Sequence, residues 1–155
     1  MTVIAKIGFD HMAILGDTLA KIAAEKAGII KRGTALVLES QEKEAMDVLN
    51  KAAERADIKT TKVVNLDEIR ILPQKDGKQC FSYAGYDAVT MKMLGVHQYE
   101  NAVAAMLAAE LFFEKYFAGK KECAGTESFA ACIREGIDRT QWMGRMELVS
   151  MIRFS

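Results

Sequence analysis

Hydrophobic positions change their spacing repeatedly along this chain. Val3 to Phe9 (VIAKIGF) is almost continuously apolar with one lysine, short enough for a buried strand. Leu19, Ile22 and Ala23 then fall at i, i+3 and i+4, which predicts a helix. Asp17 or Thr18 is placed to cap it, and Gly28 to stop it. Thr34 to Leu38 (TALVL), introduced by Gly33, reads as a second strand. Glu42 to Ala56 carries Ala45, Val48, Leu49, Ala52 and Ala53 on one face and charges on the other, the pattern of a helix covering a sheet. Thr61 to Val64 is a third strand. Strand, helix, strand, helix, strand at this spacing predicts right-handed βαβ crossovers and a mostly parallel sheet.

From Ile69 the pattern shortens. Ile69 to Leu72, Gln79 to Ala84 and Ala88 to Met93 partly alternate, and Asp76-Gly77 and Gly85 separate them. That predicts a small antiparallel meander added to the α/β core. Gly95 leads into a helix from about Tyr99 to about Phe117. It is so apolar between Asn101 and Phe113 that burial on most sides is expected. Thr126 can cap a last helix to about Gly136, and Trp142 to Arg153 reads as extended. Three core strands are few for this much apolar helix, so part of the sheet is expected to be missing and the chain is expected to self-associate.

Composition narrows the classes. In 155 residues, 21 Lys and Arg balance 21 Asp and Glu, which leaves no basic footprint for nucleic acid. No apolar run approaches the ~18 residues of a membrane span. The first residues, MTVIAKIGFDHM, enter a strand pattern without the features of a signal peptide, so a cytoplasmic location is expected. Cys80, Cys123 and Cys132 are odd in number and widely spaced, as reduced thiols would be. Pro73 is the single proline, which argues against long disordered linkers.

Two positions stand out chemically. His11 follows the first strand, at the edge where an open α/β sheet gathers ligands. Lys26 falls at i+7 on the apolar stripe of the first helix, where it must either snorkel to water or serve a site. His97 and Asn101 lie four apart at the start of the long helix, and either histidine alone could simply cap or pack. Gly28 to Gly33 (GIIKRG) approaches a phosphate loop, but Thr34-Ala35 stands where Lys-Ser/Thr is required.

The motifs together are more specific. Phe9-Asp-His-Met, Leu15-Gly-Asp-Thr18, Glu25-Lys-Ala-Gly-Ile-Ile-Lys31, Leu94-Gly-Val-His-Gln-Tyr-Glu-Asn101 and Trp142-Met-Gly-Arg145-Met-Glu147 occur in order along the chain. In this order they resemble the folylpolyglutamate synthases, including the bifunctional dihydrofolate synthases, of the Mur ligase superfamily. The resemblance covers the middle of such an enzyme. It implies a partial Mur-ligase-type, P-loop NTPase-like central domain, with residues 1–143 as the second part of the ATPase domain. Residues 144–155 would be the junction and first strand toward a carboxyl-terminal domain. It further implies that His11 is a Mg²⁺ ligand and that Lys26 is carbamylated, its carbamate helping to hold a magnesium ion. An ammonium has no lone pair for Mg²⁺, whereas a carbamate offers the hard oxygen that this ion prefers. Gln98 and Asn101 would lie against the adenine of ATP, and Arg145 would contact phosphate as a fixed donor fork. Met143 departs from the proline common there.

The activity so implied is ATP-dependent ligation, in which a folate carboxylate is phosphorylated and the amine of glutamate attacks the acyl phosphate. The family's phosphate loop, a further glutamate ligand and the glutamate-binding domain are not among these residues. The expectation is therefore a part of a ligase, inactive alone and without stably bound ATP or Mg²⁺. Two alternatives are a stand-alone α/β binding or structural module and, more weakly, a receiver-type domain with Asp10 as phospho-acceptor. The second lacks the acidic cluster it needs.

Overall fold

A computed structural model describes residues 1–9, 17–117 and 126–142, with the side chains of 126–128 left out. It divides into two compact units. The first comprises Met1–Val64 and Ala104–Tyr116, and the second Asn65–Val103 with the described residues from Phe117 onward.

In the first unit, strands β1 (Thr2–Ile4), β2 (Ala35–Leu38) and β3 (Thr60–Val63) form a parallel sheet in the order β1-β2-β3. Helices α1 (Leu19–Ala27) and α2 (Lys43–Arg55) stand in the two connections, as parallel neighbours require. Leu36 and Leu38 of β2 join a buried cluster with Ile4 and Ile7, with Ile22 and Ala23 of α1, and with Ala45, Leu49 and Ala53 of α2. Val37, pointing the other way, is fully buried too. The expected parallel α/β arrangement is thus present, with shifted boundaries. β1 is shorter than Val3–Phe9, because its main-chain pairing with β2 ends near Ile4.

Local chemistry sets the ends of α1. Thr18 is its N-cap, accepting from the Lys21 N–H at 3.2 Å. Asp17 instead pairs with the Lys21 ammonium at 2.8 Å, and that hydrogen bond holds its carboxyl below the usual range. The N–H of Gly28 closes the helix on the carbonyl of Glu25 at 3.1 Å. Gly28 is not in the left-handed region, with φ at −57°. A Cβ there would lie 3.1 Å from the Glu25 carbonyl oxygen, so close approach is what suits glycine to this position.

The long helix α3 (His97–Phe117) begins two residues before the expected Tyr99. Its portion in the first unit is tied to β3 by Lys62, whose ammonium lies 2.9 Å from Glu110 and 3.8 Å from Glu114. Burial on most sides holds through Leu107 but not beyond. Phe112 and Tyr116 are each 50% exposed, with ring centroids 4.7 Å apart. No helix of the described residues is long and apolar enough to cross a membrane.

The second unit holds the expected meander, β4 (Arg70–Lys75), β5 (Lys78–Tyr83) and β6 (Tyr86–Met91), antiparallel in that order. Asp76-Gly77 turns β4 into β5 with φ of 52° and 75°, and Ala84-Gly85 turns β5 into β6 with 44° and 87°. Two successive positive φ values define the tight hairpin turn that matches strand twist. β4 runs past the expected end at Leu72 and contains Pro73, which an edge strand tolerates. The central strand β5 is buried from Gln79 to Tyr83, and Phe81 meets Tyr99 of α3 edge-on at 5.6 Å. The last helix, α4 (Thr126–Arg139), extends past the expected Gly136. Asp138 fastens it, accepting from the Lys78 ammonium at 2.5 Å and the Thr90 hydroxyl at 2.6 Å. Of the expected extended segment Trp142–Arg153, all after Trp142 lies outside the described residues.

The hydrogen bonds from Lys78 and then Thr90 hold the Asp138 carboxyl below its ordinary range. A lowered folded pKa contributes stability above the unfolded value, about 3.9, and that contribution is lost as pH falls through the folded value. Asp138→Asn should therefore be less stable than the parent at pH 7, and the gap should close in acid. Urea unfolding of both proteins at pH 7 and in acid checks this, and the effect should be modest because the side chain is 31% exposed.

Candidate functional site

The candidate residues fall into different parts of the molecule. His11, Arg145 and Met143 lie outside the described residues. Lys26 belongs to the first unit, and Gln98 and Asn101 to the second.

Lys26 occupies the last turn of α1 and is half-buried. It borders the apolar face, where its neighbour Ala27 packs on the core. A cation in this turn is favoured by the carboxyl end of the helix dipole, so the ammonium is tolerated as it stands. Among the described residues no group of three His, Cys, Asp or Glu side chains could hold a metal ion.

The second unit carries a defined polar cluster. Gly95 turns the chain into α3 with φ at 115°, a value that glycine accepts freely. This turn is held by Gln79 of β5, whose amide nitrogen donates to the carbonyls of Met93 at 3.0 Å and Gly95 at 3.2 Å. Its amide oxygen accepts from the Gly95 N–H at 3.2 Å. Past the turn, His97, Gln98 and Asn101 form a chain. The Asn101 amide nitrogen donates to Gln98 Oε1 at 3.0 Å, and Gln98 Nε2 lies 3.1 Å from His97 Nε2. Gln98 is 3% exposed, while Asn101 is half-buried and His97 exposed. The buried amide therefore orients its two neighbours. Burial also raises the Tyr99 hydroxyl pKa in the same helical turn.

Gln98 and Asn101 stand out in the sequence by their motif, and Gln79 does not. Its signal was there. Gln79 is a polar residue on a strand whose other inward positions are apolar or aromatic, and such a residue survives burial only by bonding.

Comparison with known proteins places the chain in a class. Residues 1–109 match the Mur ligase middle domain, and the chain belongs to that family. Its curated relatives are folate enzymes. The chain is 35% identical over 157 residues to the dihydrofolate synthase/folylpolyglutamate synthase of Bacillus subtilis strain 168, covering 96% of this chain and 34% of that protein. Among solved structures, the Mycobacterium tuberculosis folylpolyglutamate synthase complexed with ADP aligns with a TM-score of 0.74 and 32% identity, over 94% of this chain and 32% of that one. The apo form of L. casei FPGS shares the fold with a TM-score of 0.80 at 23% identity, over 96% of this chain and 35% of that one. The chain thus spans about a third of each of these relatives.

Gln79→Leu removes both ends of the bridge and leaves the Gly95 N–H and two carbonyls without that partner. The variant should lose roughly 1–3 kcal/mol of stability. Amide exchange at Gly95 and Gln98 should accelerate more than exchange in α2, as read by hydrogen-exchange NMR.

Proposed function

We propose that this chain is the second part of the central ATPase domain of a folylpolyglutamate synthase, a ligase that adds glutamate to folates with ATP, and that it is inactive alone. Residues 1–143 belong to that domain in this reading, and 144–155 lead toward a carboxyl-terminal domain. Dihydropteroate as a second substrate and a cytoplasmic location are compatible with it. The observation that carries the reading is the ordered amide pair at the start of α3. Gln98, buried and bonded on both sides, holds Asn101 at the helix entrance. An amide with one donor and one acceptor edge matches the hydrogen-bonding edge of a purine. A relative at 32% identity was solved with ADP.

The donor sets test the implied groups. Asn101, with His97 beside it and Gln98 behind, fits the base of ATP. Lys26 as an ammonium does not fit Mg²⁺, and as a carbamate it does. Its position bordering an apolar face, half in and half out of water, is one where loss of charge or change of its sign costs little core packing. His11 and Lys26 would share the metal, and Arg145 a phosphate. When bound, Mg²⁺·ATP supplies the phosphoryl group and the charge neutralisation that activate a carboxylate. The chain's own work is to orient the base and to place hard ligands.

With its phosphate contacts incomplete, the chain should bind ATP·Mg²⁺ weakly or not at all by calorimetry, and a micromolar affinity would overturn the reading. At high ATP concentration, NMR should show the side-chain amides of Asn101 and Gln98 shifting, with inorganic phosphate leaving them unmoved. Asn101→Ala should abolish the response, and shifts confined to other residues would count against the site.

Self-association follows from the same reading, since the exposed Phe112–Tyr116 pair is an apolar surface on α3. Light scattering at rising concentration should give a mass above the 17.1 kDa of one chain, and Phe112→Ser with Tyr116→Ser should lower it. A constant monomer mass in the parent would refute this.

A further inference from the structure

Helix α4 is attached to the meander mainly through polar contacts. Its described side chains run from Phe129 to Arg139, and of these only Ile133 is buried. Phe129 and Ile137 are half-buried beside it. The strand face it meets is polar. Asp138 accepts from Lys78 of β5 and from Thr90 of β6, and Thr90 stands opposite Cys80 in the register of those strands. Successive residues of a strand point to opposite faces, so Lys78 and Cys80 share the face that α4 covers. Gln79 and Phe81 point the other way, toward the Gly95 turn and Tyr99. Cys80 is thus flanked by the two groups that Asp138 holds, and it is 4% exposed.

This attachment is weak beside the strand pairing that it covers. Arg134 lies over the Tyr86 ring at 6.0 Å, yet its Nε is buried and finds no acceptor among the described residues. A buried donor left unmade costs free energy, and release into water removes that cost. Gly136 sits inside the helix with nothing within 4 Å of where a Cβ would stand, so no close approach requires glycine there. Glycine in a helix interior destabilises it relative to alanine. The Asp138–Lys78 pair is 31% and 28% exposed, which limits what it contributes. A helix of 14 residues is marginal in water without a surface to pack on, so α4 released from the meander melts.

We propose that α4 is a reversible strap with Asp138 as its latch: it leaves the meander and melts as one unit while β4, β5, β6 and the Gly95 turn stay folded. Such local opening takes less free energy than global unfolding. It uncovers the Lys78, Cys80 and Thr90 side of the meander. The opposite side, where Gln79 holds the Gly95 turn, keeps its bonds.

The test uses this chain carrying Cys123→Ser and Cys132→Ser, so that Cys80 is the single thiol. Reaction of the native protein with an aromatic disulfide reagent reports opening, and its dependence on urea reports how much of the chain opens. The urea slope of labelling should be less than roughly half that of global unfolding followed by circular dichroism. Asp138→Ala should speed labelling roughly tenfold, and Gly136→Ala should slow it roughly fivefold. Lys62→Met breaks a pair of similar exposure, Lys62 with Glu110 at 29% and 25%, and should leave labelling at the parent rate. Amide exchange at Gly95 should be the same in the parent and in Asp138→Ala. Labelling with the urea slope of global unfolding overturns the proposal, as does a Gly136→Ala variant that labels at the parent rate. Gly95 exchange that rises with Cys80 labelling, or a Lys62→Met variant accelerated as much as Asp138→Ala, also overturns it. If Asp138→Ala fails to fold, the urea slope and Gly136→Ala decide.

Discussion

The burial of β2 on both faces is the constraint from which the first unit follows. Leu36 and Leu38 point into the cluster with α1 and α2, and Val37 points into the opposite face, all three fully buried. A strand buried on both sides must be flanked by other strands, and here both are parallel. Parallel neighbours demand crossovers, which α1 and α2 provide, and they bring the carboxyl ends of the strands to one edge. Asp10 and His11 follow β1 in the sequence and Glu39 to Gln41 follow β2. Glu39 to Gln41 stand beyond that edge because the packing of three apolar residues fixes where β2 ends.

The elements were largely legible in the sequence because each obeys a local rule. The i, i+3, i+4 stripe of α1, the amphipathic face of α2 and the paired turn residues Asp76-Gly77 all declare themselves without tertiary help. The departures came where a non-local partner decides. Val3 to Phe9 is apolar enough for a long strand, but Ile7 is buried in the core without a main-chain partner on β2. The strand expected to end at Leu72 runs on through Pro73 because it lies on an edge, a property of sheet order rather than of sequence. The apolar texture of α3 could not show that Phe112 and Tyr116 emerge from the core, since exposure depends on what lies alongside.

Of the candidate site, residue types were readable and their partners were not. His97 and Asn101 share a helix face by spacing alone. The bond that joins them passes through Gln98, three residues before Asn101 and next to His97, and what spacing does not show is that this amide is buried. Lys26 was noticed because it interrupts an apolar stripe. Its half-buried place beside Ala27 lets the stem lie along the apolar face while the end of the side chain reaches water.

Glu39, Gln79 and Gln98 share one property that a sequence could have flagged. Each is a polar residue buried below a tenth of its surface, and each sits at or beside the end of a regular element. In all three, the side chain bonds a group that the regular pattern no longer reaches: the Lys6 N–H, the Gly95 turn, the Asn101 amide. An unmade bond at a buried site costs more than a made one gains, so such residues specify geometry more than they add stability. Two of the three precede a residue singled out for chemistry, Gln79 through Gly95 to the start of α3 and Gln98 directly to Asn101. Glu39, buried at greater cost because it is a carboxylate, does the same where the chain leaves β1 by accepting from the Lys6 N–H.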